Sequence, residues 1–231
     1  MLVIAFIVSS ALAGARAKKE NINPDMIFNL LFTGFIFGIV GARLFYVIDN
    51  ISYYSKNPHE IIMFQHGGLS WFGGLILGVI SALVYLKSKK VSILRTLDLI
   101  IPFVALAEAI GRIGCLLNGC CYGKVSEKFG IYFDVHQQVL IPTQAYSSLS
   151  LIIIFIGLRF LQEKPHRLGE IFCAYLLLYS IKRFIIEYWR ADNPIVFSCL
   201  TLFQILSMAM FITAIVMLVI IKKSASISNK S

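Results

Sequence analysis

Long apolar stretches recur along the whole chain, and this feature restricts its fold more than any other. Seven of them, separated by polar clusters, lie near residues 1–15, 27–48, 69–86, 96–117, 144–161, 168–188 and 197–221. Most are long enough to cross a hydrocarbon core of about 30 Å as a helix. Hydrophobic residues make up 58% of the chain and charged residues only 14%, which lies well outside the usual range of soluble domains.

The stretches are predicted to be helical because a backbone inside lipid must satisfy its own hydrogen bonds, which leaves helices or closed barrels. They lack the alternating pattern of barrel strands. The sequence therefore predicts an all-α, polytopic membrane protein with seven transmembrane helices that form a single domain over residues 1–231.

Basic residues near the ends of the stretches predict the orientation, since such residues are retained in the cytoplasm. Clusters at 16–19, 87–90, 163–167 and 222–223 fall on one face of a seven-span chain. This pattern places the N-terminus outside and the C-terminus in the cytoplasm. The net charge of +9 is then mainly a topology signal with some attraction to anionic lipid, and no nucleic-acid partner is expected.

The first stretch ends in small residues, "SSALAGARA", and has two interpretations. A signal peptide carries its positive charge before the apolar core, whereas here Arg16, Lys18 and Lys19 follow it. A first transmembrane helix is therefore favoured over a cleaved signal.

Three of the five cysteines, Cys115, Cys120 and Cys121, lie within one short segment. They lack a second Cys pair at the spacing typical of metal sites. Free thiols, a disulfide from Cys115 to one of the vicinal pair, and a metal or catalytic thiol all remain open. Cys173 and Cys199 are expected to be small apolar packing residues.

Charged residues within the apolar stretches are candidates for function, because each costs about 3 kcal/mol or more in a bilayer unless it is paired or hydrated. They are Arg43, Asp98, Glu108, Arg112, Arg183 and Glu187. Glu108 with Arg112, and Arg183 with Glu187, have a spacing of four and share a helix face, as structural ion pairs or as parts of a polar cavity. Guanidinium groups bind phosphate through paired hydrogen bonds, which favours a phospholipid headgroup or a phosphorylated lipid carrier as the ligand.

The segment "GRIGCLLNGCCYG" (111–123) carries four glycines, which favour either tight helix packing or close approach of a ligand. It resembles the signature G-R-x-G-N-x-x-N-G-x-x-x-G of prolipoprotein diacylglyceryl transferases, which are bacterial membrane enzymes. Further matches follow in the same order along the chain, at 41–47, 65–78, 98–102, 141–146 and 179–190.

The resemblance implies transfer of the diacylglyceryl group of phosphatidylglycerol to the lipobox cysteine of a preprolipoprotein, with release of glycerol-1-phosphate at the bacterial plasma membrane. It implies that Arg112 holds the phosphate and that Arg183 assists, because fixed arginines stabilise the charge of a leaving group. Tyr179 would orient the headgroup or relay a proton, and Asn118 would hydrogen-bond its glycerol. The other residues assigned to substrate binding are Gly111, Gly114, Gly123, Arg43, Glu187 and Arg190. The resemblance calls for no metal or diffusible cofactor.

The chain departs from the family pattern at several positions. Cys115 stands at an asparagine of the pattern, and Cys120 and Ser147 stand where glutamates are common. A tyrosine that the family places in the outer part of the first helix has no counterpart, so a divergent or N-terminally short member is expected.

The stretch "QHGGLSWFGGLILG" (65–78) bears on the general base of the reaction. Its second Gly-Gly pair, at 73–74, matches the family's His-Gly-Gly or Tyr-Gly-Gly, which puts Phe72 in the position of the histidine or tyrosine. A phenylalanine cannot accept a proton. The base is then His66, a water molecule, or the Cys and Tyr groups of the 115–122 loop. The alternative function is a non-catalytic or repurposed member that binds an anionic phospholipid or a lipid-linked carrier.

Overall fold

The computed structural model describes residues 1–63, 67–191, 193–197 and 199–228. Its helices are α1 (Leu2–Lys19), α2 (Pro24–Asp49), α3 (Ile51–Tyr54), α4 (Trp71–Ser88), α5 (Ile93–Leu117), α6 (Thr143–Gln162), α7 (Glu170–Glu187) and α8 (Leu202–Ser228), with a 3-10 turn at Pro58–Ile62. Two antiparallel hairpins complete the described part, one formed by β1 (Ile131–Phe133) and β2 (Gln138–Leu140) and one by β3 (Ile195–Phe197) and β4 (Leu200–Thr201).

Five helices of the described chain are long and apolar enough to cross a membrane. They are α2, α4, α5, α6 and the segment Leu202–Lys223 of α8. Many of their large apolar side chains, such as Phe37, Val84 and Ile153, are exposed, as expected where lipid is the solvent. The prediction of a helical, multi-pass membrane protein is confirmed.

The remaining two predicted spans also form helices, each of 18 residues. Each has more than two charged residues within its 18, since α1 carries Arg16, Lys18 and Lys19 near its end and α7 carries charges at both ends and within it. Seven spans and the orientation of the termini therefore stay predictions.

The hairpin of β3 and β4 was not predicted, and because of it the last helix begins later than predicted. Ile195 pairs with Thr201 across the hairpin, so Phe197, Leu200 and Thr201, near the start of the predicted span 197–221, lie in strands. The last helix begins at Leu202 instead.

The described chain falls into two compact units, and the prediction of a single domain stays untested. One unit comprises Met1–Leu12 with Leu94–Ser231, and the other comprises Ala13–Ile93. The larger unit has a core in which α5, α6 and α7 meet, formed by Ile101, Ala105, Ile154, Leu158 and Ile171.

Polar side chains at one end of the larger unit replace a backbone hydrogen bond that is missing from α5. Pro102 lies inside this helix and has no N–H to give to the carbonyl of Asp98. Gln162 supplies that hydrogen bond through Nε2, at 2.9 Å. The carboxylate of Asp98 in turn accepts the backbone N–H groups of Gly169 and Phe172, at 2.5 and 2.9 Å, which caps the start of α7. Asp98 is therefore a structural charge that fixes α7 against α5.

The smaller unit is held by glycines where α2 packs against α4. A Cβ added at Gly41 would collide with the carbonyl of Gly73, and one at Gly73 would collide with that of Gly41. Gly38 and Gly74 face each other in the same way, with a Cβ at Gly74 placed 3.2 Å from the Gly38 carbonyl. Small residues at helix contacts let two backbones approach closely in a membrane, which explains the second Gly-Gly pair of the 65–78 stretch.

Candidate active site

Glu108 of α5 lies close to three polar side chains in the larger unit. Its Oε1 accepts from Arg112 at 3.2 Å and from the Tyr179 hydroxyl at 3.1 Å, and it lies 3.7 Å from Nζ of Lys182. The spacing of four predicted that Glu108 and Arg112 share a helix face, and the ion pair confirms it. Because Tyr179 and Lys182 come from α7, the carboxylate joins the two helices.

Glu187, at the end of α7, gathers a second set of donors, and its side chain has no solvent exposure. Arg183 lies 3.1 Å from Oε2, and Nε of Arg190 lies 4.0 Å from the same oxygen. Oε1 accepts from Asn193 at 2.6 Å and from Thr201 at 2.8 Å. The second predicted pair is thus confirmed, and the β3–β4 region supplies neutral donors that hold the carboxylate in place.

Positive charge exceeds negative charge in this cluster. Two carboxylates, Glu108 and Glu187, face four cationic side chains, Arg112, Lys182, Arg183 and Arg190. All four cations have side chains that are at most 16% exposed. Lys182 Nζ makes no hydrogen bond within the described residues, although it lies 4.4 Å from the centre of the Tyr179 ring. We call these six residues the cationic cluster.

A tight turn follows α5 and brings the next cysteines back toward that helix. Gly119 and Cys121 have φ angles of +66° and +62°, a left-handed conformation that is costly for the non-glycine residue. The first two side chains of α6 hold the turn. Thr143 donates to the carbonyl of Cys121 at 2.7 Å, and Gln144 donates to that of Cys120 at 2.6 Å.

The turn brings three sulfur atoms together. Sγ of Cys115, Cys120 and Cys121 all lie within 4.8 Å of one another, and each residue is partly buried. A hydrogen bond from Cys115 lowers the pKa of the Cys121 thiol, burial opposes this effect, and the positive charges of Arg190 and Arg112 support it. We call these residues the thiol trio.

All five cysteines are free thiols. The predicted alternative of a disulfide is therefore absent from the thiol trio, although the sulfurs are close. Cys173 is fully buried, as predicted for a packing residue, whereas Cys199 is exposed. The packing prediction for Cys199 is wrong because this residue lies in the turn between β3 and β4.

The three glycines assigned to substrate binding differ in what surrounds them. A Cβ at Gly111 would meet nothing within 4 Å, whereas one at Gly114 would lie 2.8 Å from Cβ of Met1. At Gly123 it would lie 2.6 Å from the carbonyl oxygen of Trp189. Gly114 and Gly123 are therefore required for close packing within the unit, and Gly111 has room beside it.

Arg43 of α2, in the smaller unit, has a different environment. Its five N–H groups donate to backbone carbonyls at 2.6 to 3.2 Å, namely those of Glu60, Ile61, Met63, Gly67 and Gly68. A guanidinium group has five donors, so all of them are engaged. The carbonyls of Gly67 and Gly68, the first Gly-Gly pair, serve as acceptors for this side chain. The contacts make Arg43 an anchor of the segment before α4 rather than a phosphate ligand.

The two residues on which the general base was expected to depend both belong to the 65–78 stretch. His66 lies outside the described residues. Phe72 is in the first turn of α4 with its side chain 37% exposed, and its ring packs edge-on against Trp71 at 5.2 Å. The residue that the resemblance matches to the family's histidine or tyrosine is therefore a partly exposed apolar group.

Three residues that contact Glu108 or Glu187 were not predicted from the sequence, namely Lys182, Asn193 and Thr201. The predicted residue Asn118 makes no such contact among the described residues. Lys182 carries a signal that could have identified it, because it is a cation inside an apolar helix. Asn193 and Thr201 carry no such signal, since a single uncharged polar residue is unremarkable until the fold brings it to Glu187. Asn118 is exposed just after α5.

The cationic cluster is suited to binding a phosphate group. Its guanidinium groups have more donors than the two carboxylates can accept, and burial strengthens their interaction with an anion. A fixed set of cations also stabilises negative charge that develops during a reaction, without reorganisation. The geometry therefore fits a phosphate ester or its leaving group.

Comparisons with known proteins agree with this chemistry. The family model described as prolipoprotein diacylglyceryl transferase matches residues 1–220. A phosphatidylglycerol–prolipoprotein diacylglyceryl transferase of Clostridium tetani is 36% identical, with 93% of this chain and 88% of the relative aligned. Proteins of the same name from Streptococcus mutans and Finegoldia magna are 33% and 35% identical, aligned over 98% and 96% of this chain and 90% of each relative. The chain therefore belongs to the prolipoprotein diacylglyceryl transferase family.

Proposed function

We propose that the chain transfers the diacylglyceryl group of phosphatidylglycerol to the cysteine thiol in the lipobox of a preprolipoprotein and releases glycerol-1-phosphate. The observation that carries the proposal is the excess of two positive charges in the cationic cluster. A phosphodiester has one negative charge, and a phosphate monoester has between about 1.5 and 2 at neutral pH. The cluster therefore complements the leaving group better than the lipid from which it departs, as catalysis requires.

Each arginine of the cluster has a distinct proposed role. Arg112 binds the phosphate, since only one of its nitrogens is engaged by Glu108 at 3.2 Å. Arg183 assists from α7, and Glu187 with Arg190 braces the end of that helix. Tyr179 orients the headgroup from its hydrogen bond to Glu108, and Asn118 reaches the glycerol from its exposed position. Arg43 acts on the reaction only through the segment that it anchors.

The proposed membrane topology has seven spans, with the N-terminus outside the cell and the C-terminus in the cytoplasm. At about 1.5 Å per residue, the 18 residues of α1 and of α7 extend about 27 Å, close to a hydrocarbon thickness of about 30 Å. The basic residues at the end of α1 support a cytoplasmic position for that end. In a bacterium the membrane is the plasma membrane, and both hairpins then lie on its outer side.

A direct assay tests the proposed function. The purified full chain is incubated with phosphatidylglycerol vesicles and a synthetic lipobox peptide, and glycerol phosphate release and the peptide mass are followed. We expect the peptide to gain a diacylglyceryl group. Arg112→Ala should abolish this gain, while Lys164→Ala, which removes an exposed cation between α6 and α7, should not.

The apolar side chain of Phe72 favours a second candidate function, in which the chain binds an anionic phospholipid without transferring it. The same assay separates the two functions. Binding of phosphatidylglycerol vesicles that depends on Arg112, without any change in the mass of the peptide, would support the binding function and contradict the transferase.

A further inference from the structure

The thiol trio has the dimensions of a metal site. Three sulfurs around a zinc ion at about 2.3 Å lie about 4 Å from one another, and the sulfurs of the trio already lie within 4.8 Å. Reaching the bonded geometry therefore shortens the distances between the sulfurs by no more than about 1 Å. The backbone beneath them is fixed, because Thr143 and Gln144 hold the carbonyls of Cys121 and Cys120.

The number of ligands distinguishes a structural from a reactive zinc site. Zinc in structural sites takes four protein ligands, whereas catalytic sites use three and keep one position for water or substrate. Among the described residues, no fourth His, Cys, Asp or Glu joins the trio. The nearby His136 is engaged elsewhere, with Nε2 2.7 Å from the carbonyl of Gly119.

The charge around the trio favours its metal-bound form. Three thiolates and one zinc ion carry a net charge of −1, and a fourth thiolate makes it −2. Arg190 hydrogen-bonds the sulfur of Cys121, and Arg112 lies within electrostatic range of Cys115 and Cys121. Arg190 offsets part of the charge of an anionic thiolate complex, which would otherwise be costly in a partly buried site, while Arg112 remains the phosphate ligand.

We propose that Cys115, Cys120 and Cys121 bind a zinc ion whose remaining coordination position takes the acceptor cysteine of the lipoprotein substrate. The inference rests on the proposed function, and it goes beyond the family resemblance, which called for no metal. The zinc ion would take the place of the general base that Phe72 cannot provide, because a thiol that coordinates zinc is deprotonated by the metal.

The proposed step balances without an oxidant or a further co-reactant. The lipobox thiol loses its proton to solvent when its sulfur binds zinc. The sulfur then forms a bond to the glyceryl carbon of phosphatidylglycerol that bears the phosphodiester. The bond from this carbon to oxygen breaks, and its electron pair leaves with glycerol-1-phosphate at Arg112. The thioether product is a weak zinc ligand and dissociates.

Metal binding is tested first, without reference to activity. The full chain is purified in detergent with a reductant and a chelator, supplied with zinc chloride, freed of excess metal and analysed by mass spectrometry of the elements. We expect about one zinc ion per chain, retained in Cys199→Ser. The affinity should fall at least about tenfold in Cys115→Ser, Cys120→Ser and Cys121→Ser. A wild-type protein that holds no more zinc than the triple serine variant would overturn the inference.

The vacant ligand position is tested with cobalt(II) in place of zinc. Three thiolates give cobalt a thiolate charge-transfer absorption, and a lipobox peptide that contains cysteine should increase it. The same peptide with serine should leave it unchanged. An absorption that does not respond to the cysteine peptide would overturn the catalytic role of the site, as would a disulfide within the trio in protein prepared without oxygen.

The transfer assay distinguishes failure of this inference from failure of the proposed function. Equal transfer rates with and without bound zinc would leave the transferase intact and exclude the metal from its mechanism. Another outcome is zinc binding and a cobalt response to the cysteine peptide without release of glycerol phosphate. It would contradict the transferase function and support the thiol-binding metal site.

Discussion

Buried arginines occur in both units of the chain, and they illustrate two uses of the same side chain. In the smaller unit, Arg43 is 4% exposed and gives all five of its N–H groups to backbone carbonyls. In the larger unit, Arg112 and Arg183 are also mostly buried, but each is paired with one carboxylate that it shares with other donors.

The difference shows that burial alone does not mark a charge as a ligand-binding group. A guanidinium group whose donors are all engaged has a stabilising role, because any ligand would have to displace hydrogen bonds that the protein already makes. A guanidinium group that shares one carboxylate with other cations is stabilised when an anionic ligand binds beside it. Substitutions in the two units separate these two roles.

The largest effect is expected from Arg43→Met, which removes the donor from five carbonyls at once. We expect a loss of about 3 kcal/mol or more in the free energy of unfolding, because a buried carbonyl left without its donor costs about 1–3 kcal/mol and Glu60, Met63 and Gly68 are partly buried. Thermal unfolding in detergent measures the loss. Lys87→Met, which removes an exposed cation at the end of α4, is the matched control. An unfolding temperature equal to that of this control would show that Arg43 is not the anchor of the segment.

A loss of activity is expected next, from Arg183→Gln. Arg190 remains beside Glu187 as a counter-charge, so we expect an unfolding temperature near that of the wild type, together with a transfer rate reduced by about 100-fold or more. The initial rate of glycerol phosphate release measures it. If the rate fell only in proportion to the loss of folded protein, Arg183 would belong with Arg43 as a structural residue.

Glu187→Gln should have a smaller effect, on stability. The substitution keeps an acceptor for Asn193 and Thr201 but leaves Arg183 and Arg190 without their counter-charge, which should cost about 2 kcal/mol. Glu163→Gln is the control, because Glu163 is paired with Arg159 in the same spacing but is 57% exposed. The free energy of unfolding of the two variants should differ clearly, and equal values would mean that the cationic cluster does not depend on its counter-charge.

The smallest effects are expected at the glycines of the 111–123 segment. Gly123→Ala should cost about 1–3 kcal/mol, because its Cβ overlaps the Trp189 carbonyl and Ile141 in a packed region. Gly111→Ala should change stability by no more than about 0.5 kcal/mol, because nothing lies within 4 Å of the added Cβ. If Gly111→Ala nevertheless abolished transfer while the protein remained folded, the space beside this residue would be where the substrate approaches.

The sequence predicted the helices of the fold well, because its apolar stretches are long and clearly bounded. All seven predicted spans correspond to helices, and most of their ends differ by only a few residues. The β3–β4 hairpin was missed because strands of two or three residues are specified by pairing with each other and have no pattern of their own. The same limit applies to the turn after α5, where a left-handed Cys121 depends on the side chains of Thr143 and Gln144.

The sequence by itself determined the membrane class, the family and the two ion pairs, since hydropathy, ordered motifs and a spacing of four are local properties. Only the tertiary structure decided which charges share partners, because that depends on residues far apart in the chain. It assigned Arg43 to the backbone of its own unit, added Lys182 to Glu108, and brought three sulfurs within 4.8 Å of one another.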